Sequence, residues 1–210
     1  MALTVEDVVG LAPVIPVVVV DDLDDAVPLA EALVRGGLPA IEVTLRTDAA
    51  LAAIEKIAAE VEGAVVGAGT VTTALQLCDA LSAGARFLVS PGATPTLLDG
   101  LQASGVPFLP GTATASDMVA LIERGITHAK LFPAEVVGGV AALKAFAGPF
   151  PQLRFCPTGG IKAANAPAYL EQPNVVCVGG SWMVSGDFEQ VELLAAEASG
   201  LPYSLGSRLA

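Results

Sequence analysis

The chain has 210 residues, of which 53% are hydrophobic, and a formal net charge of −12. This length is most simply that of one domain, spanning residues 1–210, with a sizeable core. The acidic charge disfavours nucleic acid, whose phosphates would be repelled, whereas a small anionic substrate needs only local positive potential.

Short β-branched runs alternate along the chain with Ala- and Leu-rich amphipathic stretches, which predicts repeated βα units. Residues 4–10 predict an extra helix before the first strand. The predicted strands are 14–20, 40–45, 64–68, 86–90, 106–109, 128–132, 153–156 and 175–178. The predicted helices are 24–35, 48–60, 73–82, 95–103, 115–124, 139–146, 163–170 and 187–198.

About eight βα units predict an α/β fold of the TIM (β/α)8 barrel type, with the extra N-terminal helix added. Val17–Val20 is apolar on both faces, as in parallel sheets that helices cover. A doubly wound open sheet is the alternative, because a strand count does not show closure. Such a sheet usually has a Gly-rich turn after its first strand, whereas here the acidic segment Asp21–Asp25 follows and would repel a phosphate.

The cysteines and the single histidine limit which kinds of metal site and which cellular compartment are expected. Cys78, Cys156 and Cys177 form no CxxC pair and lie in apolar runs, so we expect reduced thiols that act as small core residues. His128 is the only histidine, which disfavours a histidine-rich zinc site, and we expect no metal. No unbroken apolar run has membrane-spanning length, and Met1–Asp7 lacks the basic region of a signal peptide, so we expect a cytoplasmic protein.

Lys130 is the most informative residue, because it lies in an apolar strand-like run that ends at Pro133. The other three lysines lie in helix-like or loop segments. Burial disfavours the ammonium form of a lysine, and the neutral amine is the nucleophile that forms a Schiff base with a ketone. The alternative is a strand-end lysine that reaches solvent or pairs with a carboxylate.

Glu42, Thr44 and Arg46 alternate along the second predicted strand, which predicts that all three face the barrel interior. Arg46 could bind a substrate carboxylate through its planar guanidinium, and Glu42 could transfer protons. The alternative is an ion pair between the two that stabilises the barrel mouth.

Two pairs of glycines follow the last two predicted strands, Gly159-Gly160 and Gly179-Gly180, with Ser181 after the second pair. Barrel enzymes commonly bind phosphate at these strand ends through backbone N–H groups. The alternative is that the glycines only form tight turns. His128 shares strand parity with Lys130, and we interpret it as a hydrogen-bonded structural residue.

These residues together resemble the class I (Schiff-base) KDPG/KHG aldolase family, over about Pro13 to Trp182. KDPG is 2-keto-3-deoxy-6-phosphogluconate and KHG is 4-hydroxy-2-oxoglutarate. The motifs that carry the resemblance are Glu42–Thr47, Val66–Val71, Ser90–Gly92, Lys130–Glu135, Arg154–Ile161 and Gly179–Trp182.

The resemblance implies a trimeric TIM barrel that cleaves KDPG to pyruvate and glyceraldehyde 3-phosphate, in the Entner-Doudoroff pathway, without a cofactor. It also implies cleavage of 4-hydroxy-2-oxoglutarate to pyruvate and glyoxylate. A threonine at position 158 favours the gluconate substrate over its galactonate epimer, because the sister enzyme usually lacks it.

The resemblance also implies a role for each motif residue, with Lys130 as the Schiff-base lysine and Glu42 as the general acid/base. The carboxylate of pyruvate would be bound by Arg46 and Thr70. Pro91 and Phe132 would form the pocket around the imine, and Thr158 would contact substrate hydroxyl groups. The phosphate would be bound by Gly159, Gly160, Gly180 and Ser181.

Two other functions stay open from the residues alone. A sugar-phosphate isomerase or epimerase barrel would use the phosphate site and Glu42 but would not need Lys130. A non-catalytic barrel that binds anions or serves as an assembly scaffold would need neither residue.

Overall fold

A computed structural model describes residues 3–202 of the chain. Its strands are β1 (Val14–Val18), β2 (Ala40–Thr44), β3 (Val65–Gly69), β4 (Leu88–Val89), β5 (Phe108–Leu109), β6 (Gly111–Thr112), β7 (His128–Leu131), β8 (Arg154–Pro157) and β9 (Val178–Gly180). Its helices are α1 (Val5–Gly10), α2 (Ala26–Arg35), α3 (Ala50–Glu60), α4 (Ala74–Ser82), α5 (Pro95–Ala103), α6 (Ala115–Ile122), α7 (Gly139–Ala147), α8 (Ala166–Leu170) and α9 (Phe188–Ser199).

The strands form a parallel barrel, as predicted. Six of them follow the order β5-β4-β3-β2-β1-β9, and the other three follow the order β6-β7-β8. Single bridges from Phe155 to Val175 and from Thr158 to Gly179 connect β8 to the β9 segment. Because the first strand pairs with the last, the barrel is closed and the open-sheet alternative is wrong.

Pro110 separates β5, which lies within the predicted strand 106–109, from β6, which was not predicted as a strand. Proline has no N–H to donate to a neighbouring strand, so the ladder is interrupted at that position. Its carbonyl still accepts a hydrogen bond from the backbone N–H of Lys130, at 2.9 Å. The two short strands therefore pair with different neighbours, β5 with β4 and β6 with β7.

The last predicted strand was placed too early, at 175–178 rather than at Val178–Gly180. The N–H of Val175 bonds the carbonyl of Gln172 in a turn, and pairing with β1 begins only at Val178. The run is apolar throughout, so its pattern contains no signal for where this pairing begins.

The predicted helices are present, including the N-terminal one. A capping box between Thr4 and Asp7 begins α1. Val8 and Val9 of α1 pack in an apolar cluster with strand residues that include Ile15 and Ala40. The extra helix therefore packs against strand residues rather than standing apart. Within residues 3–202 the model has no helix with the length and hydropathy needed to span a bilayer.

Two local expectations were wrong. Cys78 is exposed on α4, although Cys156 and Cys177 are buried as predicted, because Cys78 lies on the outer face beside the buried Leu77. The predicted helix 163–170 begins only at Ala166, since the Asn165 side chain accepts a hydrogen bond from the N–H of Lys162 and holds a turn there.

Candidate active site at the carboxyl ends of the strands

Lys130 and Glu42 form a buried ion pair inside the barrel. Nζ of Lys130 lies 3.0 Å from Oε1 of Glu42 and 3.3 Å from Oε2. The exposed fractions of the two residues are 5% and 3%, so water scarcely screens the pair. Lys130 is on β7 and Glu42 is on β2, which means that two separate strands bring the charges together. Lys130 therefore pairs with a carboxylate, as one alternative held, but it does so inside the barrel and not at the surface.

Gly69, at the end of β3, makes room for the carboxylate of Glu42. A Cβ built on Gly69 would lie 2.5 Å from Cγ of Glu42 and would overlap the carboxylate oxygen. Position 69 is paired with Thr44 in the register of β2 and β3. We did not single out this glycine from the sequence, although a glycine at the interior end of a strand signals close approach of another group.

Arg46 and Thr70 lie together at the barrel mouth. Nε of Arg46 donates to Oγ1 of Thr70 at 3.3 Å. Thr70 has a φ of 60°, in a region that residues other than glycine rarely adopt. Backbone strain of this kind is concentrated at functional sites, so Thr70 merits attention as a binding residue.

Arg46 lies beyond the strand whose alternation was used to predict its direction. Strand β2 ends at Thr44, and the N–H of Arg46 bonds the carbonyl of Thr44 in a turn, so the strand alternation stops there. Arg46 is exposed, whereas Glu42 and Thr44 are buried. The alternative of a Glu42–Arg46 ion pair is also not found in residues 3–202, where the carboxylate pairs with Lys130.

Phe132 lies beside the lysine, and Pro91 lies against the strand that pairs with the lysine strand. The ring centroid of Phe132 is 5.4 Å from Nζ of Lys130. Pro91 follows β4, and its backbone lies so close to Gly111 that a Cβ on Gly111 would overlap it. Gly111 is the register partner of Lys130, so Pro91 borders the same region of the mouth.

Thr158 lies at the end of β8 and is buried, with an exposed fraction of 5%. Its Oγ1 donates to the carbonyl of Cys156 at 3.4 Å. Gly179 on the neighbouring strand leaves space for this side chain, because a Cβ there would lie 3.0 Å from its Cγ2. Thr158 therefore connects β8, which pairs with the lysine strand β7, to the glycine pair of β9.

The two glycine-containing strand ends meet at one cleft of about 540 Å³. Gly160 and Ser181 both line it, together with Lys162 and Trp182. Gly159 and Gly160 have φ values of 101° and 80°, which favour glycine. Lys162, which we did not predict, is the one charged side chain among the residues that line this cleft.

Gly180 is placed differently from its partners. It is buried within β9, and a Cβ on it would overlap the ring of Trp182. A larger residue at this position would therefore displace Trp182 before it reached any bound anion.

His128 is buried and hydrogen-bonded through Nδ1, which is consistent with a structural residue. It is buried with an exposed fraction of 5%, and its Nδ1 lies 3.0 Å from Oγ1 of Thr127 and 3.7 Å from Oε1 of Glu6 on α1. Burial lowers the pKa of His128 below its ordinary value, Glu6 opposes this shift, and Arg154 adds to it.

The arrangement has a defined chemical capacity. An amine and a carboxylate 3.0 Å apart, in a site with little water, can together form an imine and transfer protons. The fold and these residues define a β/α barrel with an enzyme-like site at the carboxyl ends of its strands.

Comparisons with known proteins identify the family. The model of the KDPG and KHG aldolase family matches residues 5–197. A 2-dehydro-3-deoxy-phosphogluconate aldolase from Zymomonas mobilis subsp. mobilis is 52% identical over 198 residues, which are 93% of this chain and 95% of the relative. The chain therefore belongs to the KDPG and KHG aldolase family.

Two solved structures are similar over nearly the whole chain. The crystal structure of the Zymomonas mobilis ZM4 2-keto-3-deoxy-6-phosphogluconate aldolase with 3-phosphoglycerate has a TM-score of 0.92 and 50% identity, and covers 95% of this chain and 97% of its own. The KDPG aldolase from Legionella pneumophila, with pyruvate captured at low pH as a covalent carbinolamine intermediate, has a TM-score of 0.91 and 44% identity, and covers 93% of this chain and 98% of its own. The barrel fold and the family that the sequence predicted are thus confirmed.

Proposed function

We propose that this chain is a Schiff-base aldolase that cleaves 2-keto-3-deoxy-6-phosphogluconate to pyruvate and glyceraldehyde 3-phosphate. The observation that carries the proposal is the buried contact of 3.0 Å between Nζ of Lys130 and Oε1 of Glu42. Family membership supports aldol chemistry over the isomerase and scaffold alternatives. The pyruvate carbinolamine in the Legionella pneumophila relative supports covalent attachment of a keto acid.

In the proposed reaction the neutral amine of Lys130 attacks the C2 ketone of the substrate. Glu42, in contact with Nζ, is placed to accept the proton that the amine must lose. Glu42 then gives this proton to the hydroxyl of the carbinolamine, which leaves as water. The product is a cationic imine, which is an electron sink, and Glu42 is again a carboxylate.

Carbon–carbon cleavage then follows from the electron demand of the imine. Glu42 takes the proton of the C4 hydroxyl, the C3–C4 bond breaks, and its electron pair moves into an enamine on Lys130. The aldehyde leaves, Glu42 returns a proton to the enamine carbon, and water releases pyruvate and regenerates the amine. Glu42 alone therefore accepts and returns every proton in the reaction. We expect no metal or organic cofactor to take part.

The remaining residues of the mouth would orient the keto acid. We assign the substrate carboxylate to Arg46 and Thr70, whose side chains already contact each other at 3.3 Å. Phe132 and Pro91 would form the walls of the pocket around the imine, and Thr158 would contact the hydroxyl groups.

The phosphate would bind at the cleft between the β8 and β9 ends, at Gly159, Gly160, Gly180 and Ser181. Positive φ values at Gly159 and Gly160 and the exposed position of Ser181 support this assignment. The ammonium of Lys162 adds positive charge to the same cleft, which matters in a chain with a net charge of −12.

Four further expectations accompany the assignment. The name of the matched family supports 4-hydroxy-2-oxoglutarate as a second substrate, cleaved to pyruvate and glyoxylate. We also expect a homotrimer located in the cytoplasm. Residues 1–210 are expected to act as one aldolase domain.

A coupled assay tests the proposal directly. Pyruvate released from 2-keto-3-deoxy-6-phosphogluconate is measured with lactate dehydrogenase and NADH, for the wild type and for Lys130→Met. Lys144→Met, which removes the same charge from an exposed position on α7, is the matched control. We expect activity in the wild type and the control and none in Lys130→Met. Equal activity in all three proteins would refute the Schiff-base assignment.

A further inference from the structure

The glycine pair that follows β8 lies next to a carboxylate that the proposed reaction does not use. Glu135, in the turns after β7, lies directly against Gly160, because a Cβ on that glycine would be 2.5 Å from Cγ of Glu135 and 2.8 Å from its Cβ. The N–H of Glu135 also donates to the carbonyl of Gly159 at 3.1 Å. The carboxylate is therefore attached to the loop that borders the cleft.

A negative charge at this position is unfavourable for an anion in the cleft. Gly160 and Ser181 line the cleft, and Lys162 supplies its positive charge. A carboxylate that turned toward Gly160 would repel a phosphate there, and like charges a few ångströms apart interact appreciably even near water.

Tyr169 binds the carboxylate of Glu135, and neither residue is among those that line the cleft. Its hydroxyl, on α8, donates a hydrogen bond to Oε1 of Glu135. Tyr169 is buried, with an exposed fraction of 1%, so the ring cannot follow a moving partner. Burial and the neighbouring Glu135 raise the pKa of Tyr169, so the hydroxyl keeps its proton and stays a donor.

Glu135 is exposed, and its carboxylate is positioned by its contacts with α7 and α8. Gly139 at the start of α7 lies against both groups, since a Cβ there would be 2.8 Å from the Tyr169 hydroxyl and 3.3 Å from Oε1 of Glu135. The amide of Asn165 donates to the carbonyl of Gly160 at 3.2 Å. Hydrogen bonds therefore hold both the glycine loop and the carboxylate beside it, which is bound to Tyr169.

We propose that Tyr169 is a positioning residue for phosphate recognition, which acts by holding the Glu135 carboxylate away from the phosphate cleft. The inference rests on the proposed function, because it concerns the phosphate of that substrate. It assigns Tyr169 and Glu135 a part in selecting phosphorylated over unphosphorylated keto acids.

A double-mutant cycle separates charge from structure. The variants are Tyr169→Phe, which keeps the ring and removes the donor, Glu135→Gln, which removes the charge, and the combination of the two. Two measurements are made on each: kcat/KM for 2-keto-3-deoxy-6-phosphogluconate and for 4-hydroxy-2-oxoglutarate, and the apparent Kd of inorganic phosphate from the shift of the melting temperature.

Tyr169→Phe is expected to weaken phosphate binding and to raise KM for the phosphorylated substrate by roughly fivefold to tenfold, the scale of one nearby like charge in a partly wet site. Its kcat and its activity on the unphosphorylated substrate should change little. The double variant should recover phosphate binding to near the wild-type value, because no charge is left to repel the anion. Glu135→Gln alone should bind phosphate as well as the wild type or better.

Three results would overturn the inference. One is unchanged phosphate binding in Tyr169→Phe, and another is a double variant as impaired as the single one, which would indicate packing instead of charge. The third is an equal loss of kcat/KM on both substrates.

Phosphate binding is measured without turnover, so failure of the inference can be told apart from failure of the proposed function. A wild type that cleaves neither substrate but shows the expected pattern of phosphate binding would refute the proposed function alone. A wild type that cleaves both but does not bind phosphate would refute the role of Tyr169 alone.

Discussion

Nζ of Lys130 and Oε1 of Glu42 lie 3.0 Å apart, although the two residues are 88 positions apart in sequence. The contact joins β7 to β2 inside the barrel, where both side chains are almost completely buried. Removing one member of a buried ion pair leaves the other charge uncompensated, so single substitutions of either residue affect folding as well as chemistry. A variant of either residue must therefore be shown to fold, by circular dichroism, before its loss of activity is read as an effect on the chemistry.

Glu42→Gln is the conservative test of proton transfer. The amide keeps the shape of the side chain but cannot accept and return a proton, so kcat should fall roughly a hundredfold or more. Imine formation with pyruvate should be slower, because the amine loses its proton acceptor, but an adduct should still form because Lys130 is retained. Steady-state kinetics and borohydride trapping are run on the same sample. Near-normal turnover would leave Glu42 with only a structural role in the ion pair.

Gly69→Ala tests whether the position of the Glu42 carboxylate matters. The new Cβ would lie 2.5 Å from Cγ of Glu42, so the carboxylate must move. Misplacement by about 1 Å can cost roughly a hundredfold in rate, and we expect kcat to fall by at least about tenfold. The matched control is Gly100→Ala in α5, where the new Cβ makes only an ordinary contact of 3.5 Å with Leu77. Equal activity in both variants would mean that the carboxylate adapts without loss.

Lys162→Met tests the electrostatics of the cleft. Loss of the ammonium should lower kcat/KM for the phosphorylated substrate by roughly threefold to tenfold and weaken its dependence on ionic strength. Activity on 4-hydroxy-2-oxoglutarate should be unchanged. Lys144→Met again controls for the change in net charge, and Lys162→Arg should retain activity. If both methionine variants lose activity alike, the effect comes from overall charge and not from the cleft.

Much of the architecture could be predicted from sequence, because parallel barrel strands are continuous apolar runs between amphipathic helices. Lys130 and Glu42, the site residues on strands, could also be predicted from the sequence, since a charge in an apolar run is unusual. Arg46 shows where this reasoning stops. Strand alternation predicts direction only while the strand lasts, and a turn after Thr44 was not visible in the residue pattern.

Contacts between distant segments were beyond a sequence argument. The pairing of Tyr169 with Glu135 depends on how α8 lies against the loop after β7, and no spacing rule relates the two positions. The short strand β6 follows Pro110, and a proline ordinarily marks the end of a strand, so the sequence predicted no strand there. The role of Gly69 similarly depends on its register with β2.

The titration of His128 gives a prediction about pH. Burial lowers its pKa below the ordinary value of 6.5, although Glu6 opposes the shift. As pH falls below 6.5 the unfolded chain takes up this proton before the folded chain does, so stability present above that pH is lost on acidification. Because His128 is the only histidine, an NMR titration of its ring reports the folded pKa without overlap. A value at or above 6.5 would contradict the burial argument.

The central claim is that Lys130 forms the covalent bond with the substrate, and reductive trapping measures this most directly. The protein is incubated with pyruvate, reduced with borohydride, and examined by intact mass and peptide mapping. We predict one pyruvate-derived adduct per chain, located on Lys130, and no adduct when pyruvate is omitted. An adduct on Lys56, Lys144 or Lys162, or no adduct at all, would contradict the account.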